Sequence, residues 1–561
     1  APVREIAQVG AVLGREFSYE LIHAVFPVDE GMLQQGLRQL VEAELVYQRG
    51  LPPQATYLFK HALVQDTAYQ SLLKSKRQQL HQEIAQVLTN RFPDTSKTQP
   101  ELLAYHYTEA GLKQQAIPYW QQAGQSALSR SANIEAISHL TKGLELLKTL
   151  SDTHERARQE LDLQTTLGLA FMSTKGYAAP EVGKAYARAR ELSRQVGETP
   201  QLASVLQGLW IFHLVRGELQ TAHEVAQQFM RLARSTEDPT LLMEAHHALG
   251  DILYFLGEFS TACAHAEQSI ALYHPQQHSP QVRNIAQDPG VMSRCYAALS
   301  LWYLGCPEQA LKKCNEALTL AKELSHPFSV VFVLNTFTGV HVCRRDWQAV
   351  QEWAETEIAF ATEHGFGPFA IIGTMHRGRA LAEQGHGEEG IAQMHQGLAA
   401  YRATGTELGR SLILAGLAEV NGKAGQIEEG LSAVAEALAI VNRTEGRRDE
   451  AELYRLKGQL MLQQSGVRSP ASEVPNTQHP TPSPQAEAEA EACFLKAIEI
   501  AHRQSAKSLE LRAATSLARL WRQQGKALEA HHLLSEIYSW FTEGFDTTDL
   551  QDAKALLEEL E

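Results

Sequence analysis

Little in these 561 residues is equipped for chemistry. No stretch approaches the roughly 18 consecutive apolar residues that a membrane-spanning helix needs. Cysteine is scarce: the six, at 263, 295, 306, 314, 343 and 493, show no CxxC spacing and read as reduced, buried thiols of a cytosolic protein. Basic charge is in deficit, with 50 Lys and Arg against 65 Asp and Glu, and the resulting −15 disfavours a general nucleic-acid surface. No GxxxxGK[ST] phosphate loop occurs, and Gly183-Lys184 is followed by Ala185. The histidines form no zinc motif. His154-Glu155 and His223-Glu224 are followed, at the place a second ligand would take, by Arg158 and Gln227. His246-His247 and His531-His532 are adjacent and so point to different helix faces. Gly409-Arg410-Ser411 lacks the final glycine of a nucleophile elbow. The sequence therefore predicts a chain that is not an enzyme, with no metal and no cofactor of its own.

What is present is repetition. A composition of 44% hydrophobic and 20% charged residues is globular, yet the chain is too long for one compact core. A repeat array escapes that limit, because each repeat packs only on its neighbours. Residues 244–276, EAHHALGDILYFLGEFSTACAHAEQSIALYHPQ, read as helix, turn, helix. Gly250 lies midway along the first helix and Gly257 ends it, while Ala262 and Ala266 share one face of the second. This is the tetratricopeptide (TPR) pattern. With Gly257 and Ala262 as the mark, the pair recurs as Gly217/Ala222, Gly305/Ala310, Arg345/Val350, Gly385/Gly390, Gly425/Gly430 and Gly525/Ala530. The step is 40 residues, stretched to 48 before Gly305 by a loop; 40 beyond Gly425 lies Ser465, and the 60 from there to Gly525 include a Pro-rich linker. Arg345/Val350 departs in residue type and is assigned on spacing. The expected fold is all-α, a right-handed TPR-like solenoid.

The organisation expected along the chain has five parts. Residues 1–95 hold helices at 3–13, 18–25 and 31–43, with Ser18 and Asp29 as N-caps. Two short strands follow around Gly50-Leu51-Pro52-Pro53, with Leu45, Tyr47, Tyr57 and Phe59 alternating. Three helices and a hairpin make a winged helix. Its third helix has Asp29, Glu30, Glu42 and Glu44 nearby against Arg38, which would repel phosphate, so a structural role is favoured. Residues 96–200 read as irregular TPR-like hairpins and 201–464 as the regular array. Five prolines from Pro470 to Pro484 mark 465–487 as a mobile linker and the first site of proteolysis. Residues 488–561 hold the last hairpins and an amphipathic capping helix.

Several stretches resemble one family along almost the whole chain. GAVLGREFSYELI, LVEAELVYQRGLPPQATYLFKHALVQDTAYQSLL and RQQLHQEIAQVL look like the winged helix that follows the nucleotide-binding module of STAND signalling ATPases. The likeness continues through PELLAYHYTEAG, KGYAAPEVGKAYARA and AELYRLKGQLML to WFTEGFDTTDL. It is strongest to large bacterial proteins carrying an adenylate/guanylate cyclase or kinase domain, then an ATPase, then TPRs. The resemblance implies that this chain, which opens in mid-helix without an initiator Met, is the regulatory arm of a longer cytoplasmic polypeptide. ATP would belong to the upstream module. A second reading, a transcriptional regulator with a TPR effector domain like the maltose-regulon activators, is disfavoured by the acidic C-terminal ALLEELE.

In a TPR the inner wall is built from the first helix of each repeat, at positions thirteen, ten, six and three before the mark. That count selects Glu244, His247, Asp251 and Tyr254, then Met292, Cys295 and Trp302, then Asn335, Met375, Arg379, Glu419 and Arg455. Aromatic and charged residues on one wall suit a protein or peptide partner, or a small ligand. Neither nucleic acid nor membrane is expected as a partner.

Overall fold

The computed structural model describes residues 2–197, 201–276, 287–466 and 483–561. They divide into two compact units: Ala1–Thr174 with Lys184–Gln201, and Lys175–Gly183 with Leu202–Glu561.

The first unit opens α1 (Pro2–Leu13), β1 (Glu16–Ser18), α2 (Tyr19–Val25), α3 (Glu30–Glu42), β2 (Val46–Arg49) and β3 (Thr56–Phe59). Both expected caps are made. Ser18 Oγ accepts from the Leu21 N–H at 3.1 Å, and Asp29 Oδ2 from the Gly31 N–H at 3.1 Å. The hairpin has a third partner that the sequence reading missed. β1 pairs antiparallel with β3, giving the order β1-β3-β2. Three residues are too few to display an alternation, yet Phe17 stacks on Tyr57 at 5.7 Å and anchors the strand. The face of β2 is also corrected. Val46 pairs with Phe59, so Val46 is buried and Tyr47 is half exposed. Ile6, Leu33, Leu37, Tyr57 and Phe59 form the centre of this core, which extends to Leu80 and Ile84 of the helix Lys74–Arg91.

Two histidine pairs, one buried and one half-buried, predict acid sensitivity. In the first unit His81 Nδ1 lies 2.8 Å from His106 Nδ1, and Tyr69 Oη lies 3.0 Å from His81 Nε2. Burial, with Arg77 adding repulsion, pushes His81 down to about 4. Burial, with His81 adding repulsion, pushes His106 down to about 3. In the second unit His246 and His265 repeat the contact at 2.8 Å, and burial lowers His246 to about 4. An unfolded histidine takes its proton near pH 6.5, whereas these folded ones refuse it until about 4 or below. Between those limits the unfolded chain binds more protons, so stability must fall as pH drops through 6.5 toward 4. Thermal melting should shift down between pH 7 and pH 5, and His106→Gln should flatten part of that slope. Melting that is flat over this interval would contradict the lowered affinity of both pairs for protons.

The second unit is a TPR-like array. Antiparallel helix pairs follow one another from Gln201–Val215 with Leu219–Thr236 to Lys507–Gln523 with Ala527–Tyr538, and Thr548–Leu560 closes the series. The turn marks counted from the sequence are all left-handed: φ is +71° at Gly217, +82° at Gly257, +88° at Gly305, +59° at Arg345, +100° at Gly385, and +78° at Gly425 and Gly525. Between marks a second set recurs, at Glu237, Ser325, Gly365, Gly405, Glu445 and Ser505. Four of these six are not glycine, which is why composition did not show them. The small residues sit where two helices touch. A Cβ at Gly250 would stand 3.3 Å from both the Ala262 carbonyl oxygen and the Ala266 nitrogen. At Gly390 it would stand 2.3 Å from the Gly378 carbonyl, closer than any side chain allows. Of the linker expected at 465–487, residues 484–487 belong to the helix Pro484–Arg503, which Ser483 Oγ caps at the Ala486 N–H. Proline is tolerated at that first turn because no intrahelical bond is lost there. At its other end 465 and 466 belong to the helix Glu450–Gly466, and 467–482 lie outside the described residues.

All six cysteines are free thiols, and burial raises Cys295 to about 12. No helix among the described residues is long and apolar enough to cross a membrane.

Candidate functional site

The second unit returns on itself. The turns that end the first helices of early repeats meet residues some five repeats later. Val215 O accepts from the Glu407 N–H at 3.1 Å, and Gln220 Nε2 donates to Glu445 Oε2 at 2.8 Å. Trp302 O accepts from Ser508 Oγ at 2.6 Å. Arg512 Nη2 donates to Cys343 O at 2.5 Å, placing a cation at a helix C-terminus. Glu543 Oε1 accepts from the Glu308 and Gln309 N–H groups at 2.9 and 3.1 Å, an anion at a helix N-terminus. Arg344 Nη2 lies 2.7 Å from Asp546 Oδ2. These contacts satisfy chain-end groups that water would otherwise take.

The return decides what the wall residues face. Tyr254 and Trp302 are each 3% exposed, covered by the guanidinium groups of Arg448 at 5.3 Å and Arg512 at 4.9 Å from their ring centroids. They therefore do not line an open groove: the later repeats occupy that space. His247 and Asp251 are buried beside each other, 3.3 Å apart, and burial lifts neighbouring Glu244 to about 7. Met292 and Cys295 are buried as well. Asn335 Nδ2 is spent on Glu357 Oε1 at 2.9 Å, and Met375 fills the space beside Gly397. The other three wall residues, Arg379, Glu419 and Arg455, come together.

They line a cavity of about 420 Å³ with Arg345, Lys423, Glu452, Arg512, Arg519, Asp549 and Asp552. Its construction follows the repeat. Counting thirteen, ten and six before residue 525 gives Arg512, Thr515 and Arg519, and before residue 465 it gives Glu452, Arg455 and Gln459. Glu419 and Gly422 hold the matching positions before Gly425, and Arg379 the matching one before Gly385. First helices of four repeats thus present equivalent positions to one space. The wall positions selected from the sequence end at Arg455; the same spacing before residue 525 reaches Arg512, Thr515 and Arg519. Asp549 and Asp552 carry no such signal, because they belong to the helix Thr548–Leu560, outside the register.

The charges interlock. Arg379 Nη2 lies 2.6 Å from Glu419 Oε2, whose other oxygen lies 3.5 Å from Lys423 Nζ. Arg455 grips Glu452 with two bonds, at 2.9 and 2.6 Å, the fork geometry that favours arginine over lysine. Arg512 Nε donates to Asp549 Oδ2 at 2.6 Å. Arg345 Nη1 stands 3.5 Å from Asp549 and 3.6 Å from Asp552, and Arg519 Nη2 3.4 Å from Asp552. Burial pushes Glu419 up, but Arg379, Lys423, Arg455 and Arg345 outweigh it and hold the carboxylate below the usual range. Glu452 is likewise held low, with Arg455 and Arg512 overcoming its burial. Six cations therefore face four carboxylates, in a chain whose overall charge is −15. Phe494, Leu456, Leu460 and Leu520 supply apolar wall, and Gln459, Gln463, Thr515 and Ser516 supply neutral polar groups. The arrangement suits binding. Among the described residues no group of three His, Cys, Asp or Glu is placed to hold a metal.

No model of a protein family matches the chain. An uncharacterized protein of Rhizobium meliloti (strain 1021) is 25% identical over 521 residues, covering 92% of this chain. The chain spans 48% of that relative's length. Among solved structures, it is similar to the Cut9 and Hcn1 hetero-tetramer of the APC/C at 11% identity, covering 89% of this chain and 92% of that one with a TM-score of 0.42. A Rap protein complexed with competence and sporulation factor gives 11% identity, 79% and 99% coverage and a TM-score of 0.40. A STAND protein with a tetratricopeptide repeat sensor from Pyrococcus horikoshii gives 12%, 100% and 65%, with a TM-score of 0.26. The TPR-like assignment made above stands on this chain's own helix pairs and turn register.

Proposed function

We propose that the chain is the sensing and relaying arm of a longer signalling polypeptide. Its repeats bind a partner or ligand, and its N-terminal module, a winged helix in this reading, passes that state to an upstream ATPase or nucleotide cyclase. The observation that carries the reading is the cavity built from equivalent positions of four repeats and bordered by the C-terminal helix Thr548–Leu560. An array flexes along its axis, so a ligand that touches several repeats selects one curvature over others. Occupancy and curvature then become one variable. The charge on α3 supports a structural rather than a DNA-reading module, since its exposed charged side chains are Glu30, Arg38 and Glu42. In this reading the chain performs no catalysis, binds no ATP itself and works in the cytoplasm.

The test uses the longer polypeptide. Gln459→Trp and Gln463→Trp each place a bulky ring in the cavity without removing a charge. Each should change nucleotide turnover several-fold while helical ellipticity stays at the parent's value. Turnover equal to the parent's in both variants would sink the regulatory reading.

A further inference from the structure

The turn register contains one residue that local conformation disfavours. Six of the seven marks are glycine, whereas Arg345 occupies the same left-handed backbone at φ +59°. A side chain there carries a steric cost that glycine does not. Glu237, Ser325, Glu445 and Ser505 share that backbone at the intervening turns, so what singles Arg345 out is that its side chain faces the cavity. Arg345 lines the cavity, and its ion-pair contacts, at 3.5 and 3.6 Å, are longer than the hydrogen bonds a guanidinium makes to a committed carboxylate. Its Nε–H is buried with no hydrogen-bond partner, and so is the Nε–H of Arg379. Neither of these two guanidinium groups, both lining the cavity, has all of its donors satisfied within the protein.

The charge count points the same way. Arg345, Arg379, Lys423, Arg455, Arg512 and Arg519 face Glu419, Glu452, Asp549 and Asp552, an excess of two positive charges. Lys423 also pairs with Glu383, 2.5 Å away and outside the lining, and counting that carboxylate leaves an excess of one. A cavity walled by guanidinium forks with one charge uncompensated is complementary to a planar or tetrahedral oxyanion. Its volume is within the range of small-molecule sites, and the remaining wall offers amides, hydroxyls and an aromatic ring to a neutral body.

Resting on the sensor reading given above, we infer that the cavity is a receptor site for a small organic oxyanion, a carboxylate or phosphate monoester, with Arg345 and Arg379 as its principal anion contacts. The ligand would join the middle of the array to its C-terminal helix, because Arg345 and Asp549 belong to segments that meet only when the array returns on itself.

The experiment compares melting of the full chain in sodium phosphate, sodium citrate and sodium chloride at equal ionic strength. Phosphate or citrate at about tenfold its dissociation constant should raise the melting temperature by roughly 2 °C over chloride. Arg345→Gly restores the residue that the other marks carry, so it should fold and melt at least as high as the parent in chloride. In that variant the dissociation constant should rise tenfold or more. Arg519→Gln, which leaves the turn untouched, should weaken the same effect several-fold. Citrate acting without phosphate would assign the carboxylate class, and the reverse the phosphate class. No difference among the three salts overturns the inference, as does a shift that survives in both variants. An anion effect in a polypeptide whose turnover ignores cavity filling would leave this site standing and remove the regulatory reading. Regulation without any anion effect would remove this inference alone.

Discussion

Trp302→Ala should cost about 3–5 kcal/mol of stability, the loss expected when a buried tryptophan is truncated. Its indole is 3% exposed, meets Tyr303 at 4.9 Å and lies under the Arg512 guanidinium. Truncation opens a cavity and also strips the aromatic face from the Arg512 guanidinium. Tyr254→Ala should fall in the same range, because Tyr254 packs edge-on against Phe255, Phe259, Tyr296 and Tyr303 at 5.1 to 6.0 Å. Urea denaturation followed by helical ellipticity would measure both. A Trp302→Ala variant within 1 kcal/mol of the parent would show that the return contact is loose and the groove open after all. The comparison bears directly on function, since a partner groove and a sealed seam demand opposite outcomes from one substitution.

That pair also shows where sequence reasoning stopped. The mark at Gly257 is local: a helix end, a left-handed residue and an alanine on the facing turn all lie within a few residues. Such features repeat and so announce themselves, down to the turn mark at Arg345, which spacing and flanks assigned and whose backbone is left-handed like the others. The N-caps Ser18 and Asp29 were legible for the same reason. Where a solenoid closes on itself is not local. Ser508 bonds to Trp302 across 206 residues, and no period encodes that partner. An aromatic residue at a wall position looks the same in sequence whether it faces a ligand or its own chain. The charged wall positions were more informative than the aromatic ones. An arginine so placed must find anions wherever the fold puts it, and the cavity is where Arg379, Arg455 and their counterpart Arg512 find them. β1 escaped for the opposite reason, being three residues whose pairing depends wholly on β3.

Arg512→Ala should be the most damaging single change in the cavity, lowering stability by about 3–5 kcal/mol, as breaking a buried ion network does. Its guanidinium closes three different structures at once. Nε holds Asp549 at 2.6 Å, Nη2 caps the helix Pro327–Arg344 at Cys343 O at 2.5 Å, and the plane covers Trp302. Removal leaves Asp549 dependent on the more distant Arg345 and exposes a helix C-terminus inside the protein. Lysine should not rescue it, because a point charge cannot donate in two directions while stacking on a ring. Arg512→Met with Asp549→Leu is the informative double variant. Taking away both charges removes the penalty of an unpaired carboxylate, so the pair should recover part of the loss, leaving a non-additive coupling of about 1–3 kcal/mol. Strict additivity would mean that the two side chains are neighbours without being partners. Recovery would show that the terminal helix is held by charge at Asp549, and that an anion competing for the same guanidinium groups could loosen or tighten that hold.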